Sequence, residues 1–449
     1  MLLRNLLLLL HLMSLAIFDP RPRRTVIPLA LGLLCGDKPK TITSALGFLG
    51  REQQSGWSNE YRLLSQAHWD DETFFDPVLA VALRLHGDPA APLFFAQDDT
   101  LVRKSGKNIP GTAYARDPLS PPFCVNLVLG QRFLQTSFLL RAPGATAPGR
   151  GIPLSFRPAP PLPAPPRSSA AVKAQCREQR KKHNLSTIAV ADLHRSRQRV
   201  DRLGGADRLI ITAVDGSFTN QTYLRQRPDR TAIVGRARKD AQLRDYLPPP
   251  QRVGNRKYGP RRFTPSQVLH DDAVPFQTFP VFVAGQQREL HYKCVRNVCW
   301  PKGTLGQPLT LIVIKAPAYR LRKNSKLLYR QPAFLLVTDP TLAPELAIEA
   351  YLARWEIEVN FREEKHTLGV GQAQVWNDRS VQRTPAFLVA GYAALLLASV
   401  QTFGDKRTAA FASLPKWRNI LPQRPSLRDL IRMLRKEWQE QKEQLARPA

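Results

Sequence analysis

The chain has 449 residues, with 66 Lys or Arg against 36 Asp or Glu and a formal net charge of +30. At about 100–200 residues per domain that length allows several domains, and a 43% hydrophobic content excludes a wholly disordered basic tail. The charge argues against a small acidic molecule as sole partner and points to a polyanion, because each neutralised phosphate releases counterions, although a cationic protein without such a partner has the same composition.

In chain order, the first feature is an apolar run from Leu6 to Phe18 after Arg4, with Ser14-Leu15-Ala16 shaped like a cleavage site. The run is too short to span a bilayer, and His11 and Ser14 interrupt it. The basic cluster Arg21-Pro22-Arg23-Arg24 then stands on the side that would be translocated. A buried or poorly ordered leading helix is expected, with no membrane partner. Residues 25–90 carry apolar positions at helical spacing and read as a helical block.

At Pro92 the pattern changes. Leu93-Phe94-Phe95-Ala96-Gln97 reads as a strand ending at Asp98-Asp99-Thr100, and Val125–Gly130 and Arg132–Leu140 as two neighbouring strands. Residues 141–167 hold nine prolines and read as a polyproline-like surface loop. Ala171–Leu203 is helix-forming and basic, most so at Arg180-Lys181-Lys182. Arg208–Val214 reads as the clearest buried strand, ending at Asp215-Gly216.

From Arg225 to Arg262 twelve Lys or Arg face only Asp229, Asp240 and Asp245. Arg236, Arg238, Lys239, Arg256 and Lys257 are the expected contacts to a phosphate backbone, although a solvated face has the same composition. Alternating runs at Phe279–Ala284, Glu289–Val295, Leu309–Ile314 and Phe334–Val337 predict a β-rich segment. Glu345 to about Lys365 reads as one long helix, and Asp339, which precedes it, reads as its cap rather than as a third catalytic Asp. Further helices are expected at Pro385–Thr402 and Ser426–Leu445. The five cysteines are scattered and odd in number, which is no disulfide framework, and no Cys/His pair completes a zinc set with Cys294 and Cys299. A reducing cytoplasm fits this usage.

Three acids stand where strands and a helix would aim them at one point: Asp98, Asp215 and Glu358. Carboxylates so placed suit two hard divalent ions that hold phosphate oxygens. On a straight helix at about 100° per residue, Tyr351, Arg354, Glu358 and Lys365 fall within an arc of about 60°. One carboxylate among a phenol, a guanidinium and an ammonium suits a metal ligand beside phosphate contacts. An i,i+4 ion pair between Arg354 and Glu358 would use the same spacing.

Tyr351, Arg354, Glu358 and Lys365, in YLARWEIEVNFREEK, form a Tyr-x2-Arg-x3-Glu-x6-Lys pattern that resembles the signature of bacterial insertion-sequence DDE transposases. Gln97-Asp98-Asp99-Thr100 resembles that family's first catalytic motif and Val214-Asp215-Gly216-Ser217-Phe218 its second. The resemblance runs from about Asp98 through Trp376. It implies an α/β fold: a ribonuclease-H-like mixed sheet with flanking helices, a β-rich insertion, and helical N- and C-terminal regions. The corresponding divisions are a helical region at 1–90, which either binds DNA ends or only packs against the next domain, and catalytic-domain segments at 91–245 and 339–405. The insertion falls at 246–338 and a basic helical region at 406–449.

It further implies that Asp98, Asp215 and Glu358 are the catalytic metal ligands for two Mg²⁺, with Mn²⁺ as a substitute, Asp99 competing with Asp98 for the first place. Tyr351, Arg354 and Lys365 would hold phosphates near the cut. Trp300, inside the insertion, is either a core residue or a stacking surface for an extruded base. The implied activity is cleavage of double-stranded DNA at element ends and joining to target DNA, by a homodimer in a bacterial cytoplasm, associated with the nucleoid.

Overall fold

The computed structural model describes the chain except residues 118, 119, 122, 141–148, 162–168, 253, 284, 285, 305, 320–325, 327, 418–421 and 447–449. Helices come first: α1 (Leu2–Ser14), α2 (Pro20–Cys35), α3 (Ile42–Leu49), α4 (Ser58–Ser65) and α5 (Asp71–His86). Strands β1 (Leu93–Arg103), β2 (Thr112–Arg116), β3 (Leu127–Leu140) and β4 (Arg150–Pro158) precede α6 (Ala170–Lys182) and α7 (Leu185–Val200). Next are β5 (Ile210–Val214), α8 (Gln221–Arg225), β6 (Thr231–Arg236), β7 (Leu243–Tyr246) and β8 (Tyr258–Phe263). They lead to α9 (Pro265–Leu269), β9 (Gln277–Val283), β10 (Gln286–Cys299), α10 (Pro301–Thr304) and β11 (Leu309–Ile314). The chain closes with β12 (Ala318–Tyr319), β13 (Leu328–Tyr329), β14 (Ala333–Val337), α11 (Pro344–Ala353), α12 (Trp355–Arg362), α13 (Asp378–Phe403) and α14 (Leu427–Ala446). Two compact units result: Met1–Asp88 with Asp98–Asn184 and Glu356–Ala449, and Pro89–Gln97 with Leu185–Trp355.

The first unit is built around α13, which is buried along most of its length from Ser380 to Ser399. Asn377 caps this helix by accepting the N–H groups of Arg379 and Ser380 at 3.0 and 3.2 Å. Among the described residues α13 alone is long and apolar enough to cross a membrane, and 78% of its apolar window is buried inside the protein. Phe387 stacks on Phe74 of α5 at 5.5 Å, with Trp69 against both rings. The leading apolar run forms α1 as a core helix, with Leu2, Leu6, Leu10 and Met13 fully buried. Its first turn is capped from far along the chain. Glu437 of α14 accepts the N–H groups of Leu2 at 3.2 Å and Leu3 at 2.7 Å.

In the same unit β3 pairs antiparallel with β2 and β4, and it is one strand of 14 residues rather than the two expected. The expected proline loop is also corrected. Residues 150–158 of it form β4, buried from Arg150 to Phe156. Proline is tolerated there because β4 pairs on one side only, and Pro153 sits at the register shift beside Thr136 and Ser137. Of the seven other prolines, Pro160 and Pro161 follow β4, and those at 143, 148, 163, 165 and 166 lie outside the described residues.

The second unit carries the first part of β1 (Leu93–Gln97) followed in order by β5-β6-β14-β11-β10-β7-β8, with β9 on β10. β5 is parallel to both β1 and β6, and all five of its residues are buried, as expected of a strand covered on both faces. From β14 onward the neighbours are antiparallel, so the β-rich segment extends this sheet from the β6 edge. Its core joins Leu243, Phe263, Val298, Leu309, Leu311 and Leu336. The architecture is mixed α/β with helices flanking a mixed sheet, the class expected of a ribonuclease-H-like fold.

Candidate functional site

Asp98 lies inside β1, which continues to Arg103, so it does not end the strand as expected. It is 8% exposed, and its Oδ1 accepts the Asp99 N–H at 2.9 Å. Just before it, Gln97 is fully buried and fixed at both ends of its amide. Tyr223 donates to its Oε1 at 2.7 Å, and its Nε2 donates to Asp192 at 3.2 Å. Burial holds the Tyr223 phenol well above its usual range, so it remains a donor.

Asp215 directly follows β5 and is half-buried. Its Oδ1 accepts the N–H and hydroxyl of Ser217 at 2.8 and 2.7 Å, which closes an Asx turn. Thr219 donates to the Asp215 carbonyl at 2.9 Å. That turn depends on Gly235 of β6, where an added Cβ would meet Thr219 Oγ1 at 2.4 Å.

The register of β1 on β5 stops short of both acids. Ala96 of β1 and Ala213 of β5 are partners in the parallel pairing, at the end of the paired run that starts at Leu93 and Ile210. Asp98 and Asp215 each follow those alanines by two residues. Positions two apart on a strand share a face, so Asp98 occupies the face of Ala96.

The long helix is not continuous. α11 ends at Ala353, α12 begins at Trp355, and residues Glu363–Thr367 form a π-helical turn with Leu368 N–H bonded to the Glu363 carbonyl at 2.9 Å. A π turn winds wider than an α turn, so the straight-helix stripe of Tyr351, Arg354, Glu358 and Lys365 does not describe its last member. Its N-cap is Ala343, with Pro344 at the first position. Asp339 instead accepts the N–H and hydroxyl of Thr341 at 2.9 and 2.7 Å.

Tyr351, Arg354, Glu358 and Lys365 are all half-buried. Burial pushes the Lys365 ammonium down, while Glu364, Glu358 and Asp99 act against that shift. Asp99 and Glu358 therefore share the electrostatic neighbourhood of Lys365.

Of the expected backbone contacts, Arg236, Arg238, Lys239, Arg256 and Lys257 are all exposed. Arg238 forms a two-bond pair with Asp240 at 3.0 and 2.9 Å. Trp300 is half-buried against the core of the second unit, and a Cβ at Gly303 would meet its ring at 2.0 Å. That packing accords with the core alternative, while part of the residue stays exposed.

Some residues were missed by the sequence reading. Trp355, 66% exposed, stands within the signature itself. Glu364 is 1% exposed, and burial pushes its carboxyl up to about 8, against the opposing effects of Gln135 and Lys365. Beside it runs a buried network. Asn360 donates to the Gly151 carbonyl at 2.9 Å and to Tyr392 at 3.1 Å, and it accepts from Ser137 at 3.0 Å. Tyr392 in turn donates to Glu363 at 2.5 Å. These partners lie more than 200 residues apart in part, which no local pattern reveals.

The donor chemistry of Asp98, Asp215 and Glu358 suits a hard divalent cation. Among the described residues, however, no three or more His, Cys, Asp or Glu are gathered so that they could hold one. A search of the curated proteins finds no relative of this chain. The family model of the DDE superfamily endonucleases matches residues 20–304, a span that contains Asp98 and Asp215 and stops before Glu358. With well over half of its length matched, the chain belongs to the DDE superfamily of endonucleases.

Proposed function

We propose that this protein is a transposase that cleaves double-stranded DNA at the ends of an insertion sequence and joins those ends to target DNA. The observation that carries the reading is the equal two-residue spacing of Asp98 and Asp215 from the register partners Ala96 and Ala213. Family membership supports nuclease chemistry on DNA, and the net charge of +30 supports a polyanionic substrate.

In this reading Asp98, Asp215 and Glu358 would be the ligands of two Mg²⁺ ions, for which Mn²⁺ would substitute, with Asp99 as the alternative to Asp98. Bound divalent ions supply charge stabilisation on phosphate oxygens. The chain's own groups orient the substrate. Arg354 grips a phosphate through two parallel N–H bonds, Lys365 acts as a point charge, and Tyr351 donates its hydroxyl. Arg236, Arg238, Lys239, Arg256 and Lys257 hold the flanking backbone without reading its sequence. The active assembly is a homodimer engaging two element ends, in the cytoplasm at the nucleoid.

The test is a cleavage and joining assay with purified protein and a duplex carrying the element end, with and without Mg²⁺. Metal-dependent nicking followed by joined product is expected. Nicking that never yields joined product would reduce the protein to a nuclease, and no nicking in either condition would remove the catalytic reading.

A further inference from the structure

We propose that α6 is a separate DNA-contact helix, whose basic face lies along the phosphate backbone of the duplex. The proposal rests on the reading of the chain as a DNA-acting protein, but it uses none of the residues assigned above. α6 has 13 residues and none is buried; only Cys176 is half-buried. An isolated helix of that length is marginal in water, and most helices in proteins owe their stability to an apolar face packed on a core. α6 has no such face.

Local features form it instead. Ala170, Ala171, Ala174, Lys, Gln, Arg and Glu are strong helix formers. Ser169 caps the start by accepting the Val172 N–H at 3.4 Å. Arg180, Lys181 and Lys182 fill the last turn, where cations favour the helix dipole.

The charges are not evenly spread. At about 100° per residue, Lys173, Arg177, Arg180 and Lys181 fall within an arc of about 100°, over a length of about 12 Å. Like charges at 173/177, 177/180 and 177/181 repel at helical neighbour distances and weaken the free helix. A polyanion removes that repulsion, whereas an apolar partner would not. The helix's one acid, Glu178, contacts Lys181 at 2.8 Å with side chains 61% and 74% exposed. Such a pair is weak in water and readily exchanged for a phosphate. In a DNA endonuclease, the polyanion that matches a row of four cations is the duplex.

The test replaces Lys173, Arg177, Arg180 and Lys181 together by Ala, which is itself the best helix former. A control replaces the exposed Arg428, Arg432, Lys436 and Lys442 of α14, so that both variants lose the same charge. Binding of a random-sequence duplex is followed by fluorescence anisotropy, without metal, from 50 to 200 mM salt. With about 0.9 of log–log salt slope per phosphate contact, the α6 variant should lose about 3–4 of slope and the control about none. An unchanged slope in the α6 variant, or an equal loss in both, overturns the proposal. Wild-type protein that binds no duplex would instead sink the functional reading, and this proposal with it.

Discussion

Replacing Glu364 by Gln should change the pH dependence of stability more than any surface substitution. The carboxyl is 1% exposed, and its Oε1 has no hydrogen-bond partner among the described residues. Burial raises it from 4.5 to about 8 in the folded chain. The folded state therefore binds this proton more tightly than the unfolded state. The associated stability is complete below about pH 4.5 and is lost as pH rises through about 8. At about 1.4 kcal/mol per pH unit, the wild type loses about 3 kcal/mol between pH 4.5 and pH 7, and about 5 kcal/mol by pH 9. Glutamine keeps the shape and removes the titration. Urea unfolding of both proteins at pH 5, 6, 7, 8 and 9 should show the variant gaining on the wild type up to about pH 8, with the difference level above it. A stability difference that stays constant across that range would refute the buried, neutral carboxyl.

Further predictions concern the network, the cap and the site. Asn360→Ala strips partners from Ser137 and the Gly151 carbonyl inside the first unit, and should cost about 2–4 kcal/mol in denaturant unfolding. Glu437→Ala removes the acceptor for the Leu2 and Leu3 N–H groups, and should cost about 1 kcal/mol, read as a lower thermal midpoint. Glu358→Gln should abolish cleavage while leaving the affinity for end-sequence duplex nearly unchanged; retained cleavage would remove Glu358 from the ligand set. Arg354→Ala should weaken both cleavage and duplex binding, by about 1.5–3 kcal/mol for a lost charge-assisted bond, and unchanged kinetics would count against its phosphate role.

The parts of the fold legible in sequence were those with strong local periodicity. Helical spacing located the block that became α2 to α5, and the apolar runs at 208–214, 309–314 and 334–337 became β5, β11 and β14. Proline content hid β4, because sequence alone does not show that a strand has a single partner or that Pro153 meets a register shift. A straight-helix projection over 345–365 missed the π turn, whose wider winding is set by packing rather than by residue type. Glu358 was legible as an acid within a helix and Asp215 as one directly after a strand, whereas Asp98 lies inside its strand and not at its end. Glu364 was not, because its burial comes from packing that no local pattern shows.

The chain passes between its two units at four peptide links, after Asp88, Gln97, Asn184 and Trp355. Neither unit is a contiguous stretch, so no single truncation isolates one of them intact. A frameshifted gene copy ending before residue 356 would lack α13, around which the first unit is built. Shortened products of such a gene are therefore expected to be degraded as unfolded polypeptides, not to persist as competitors for the same DNA.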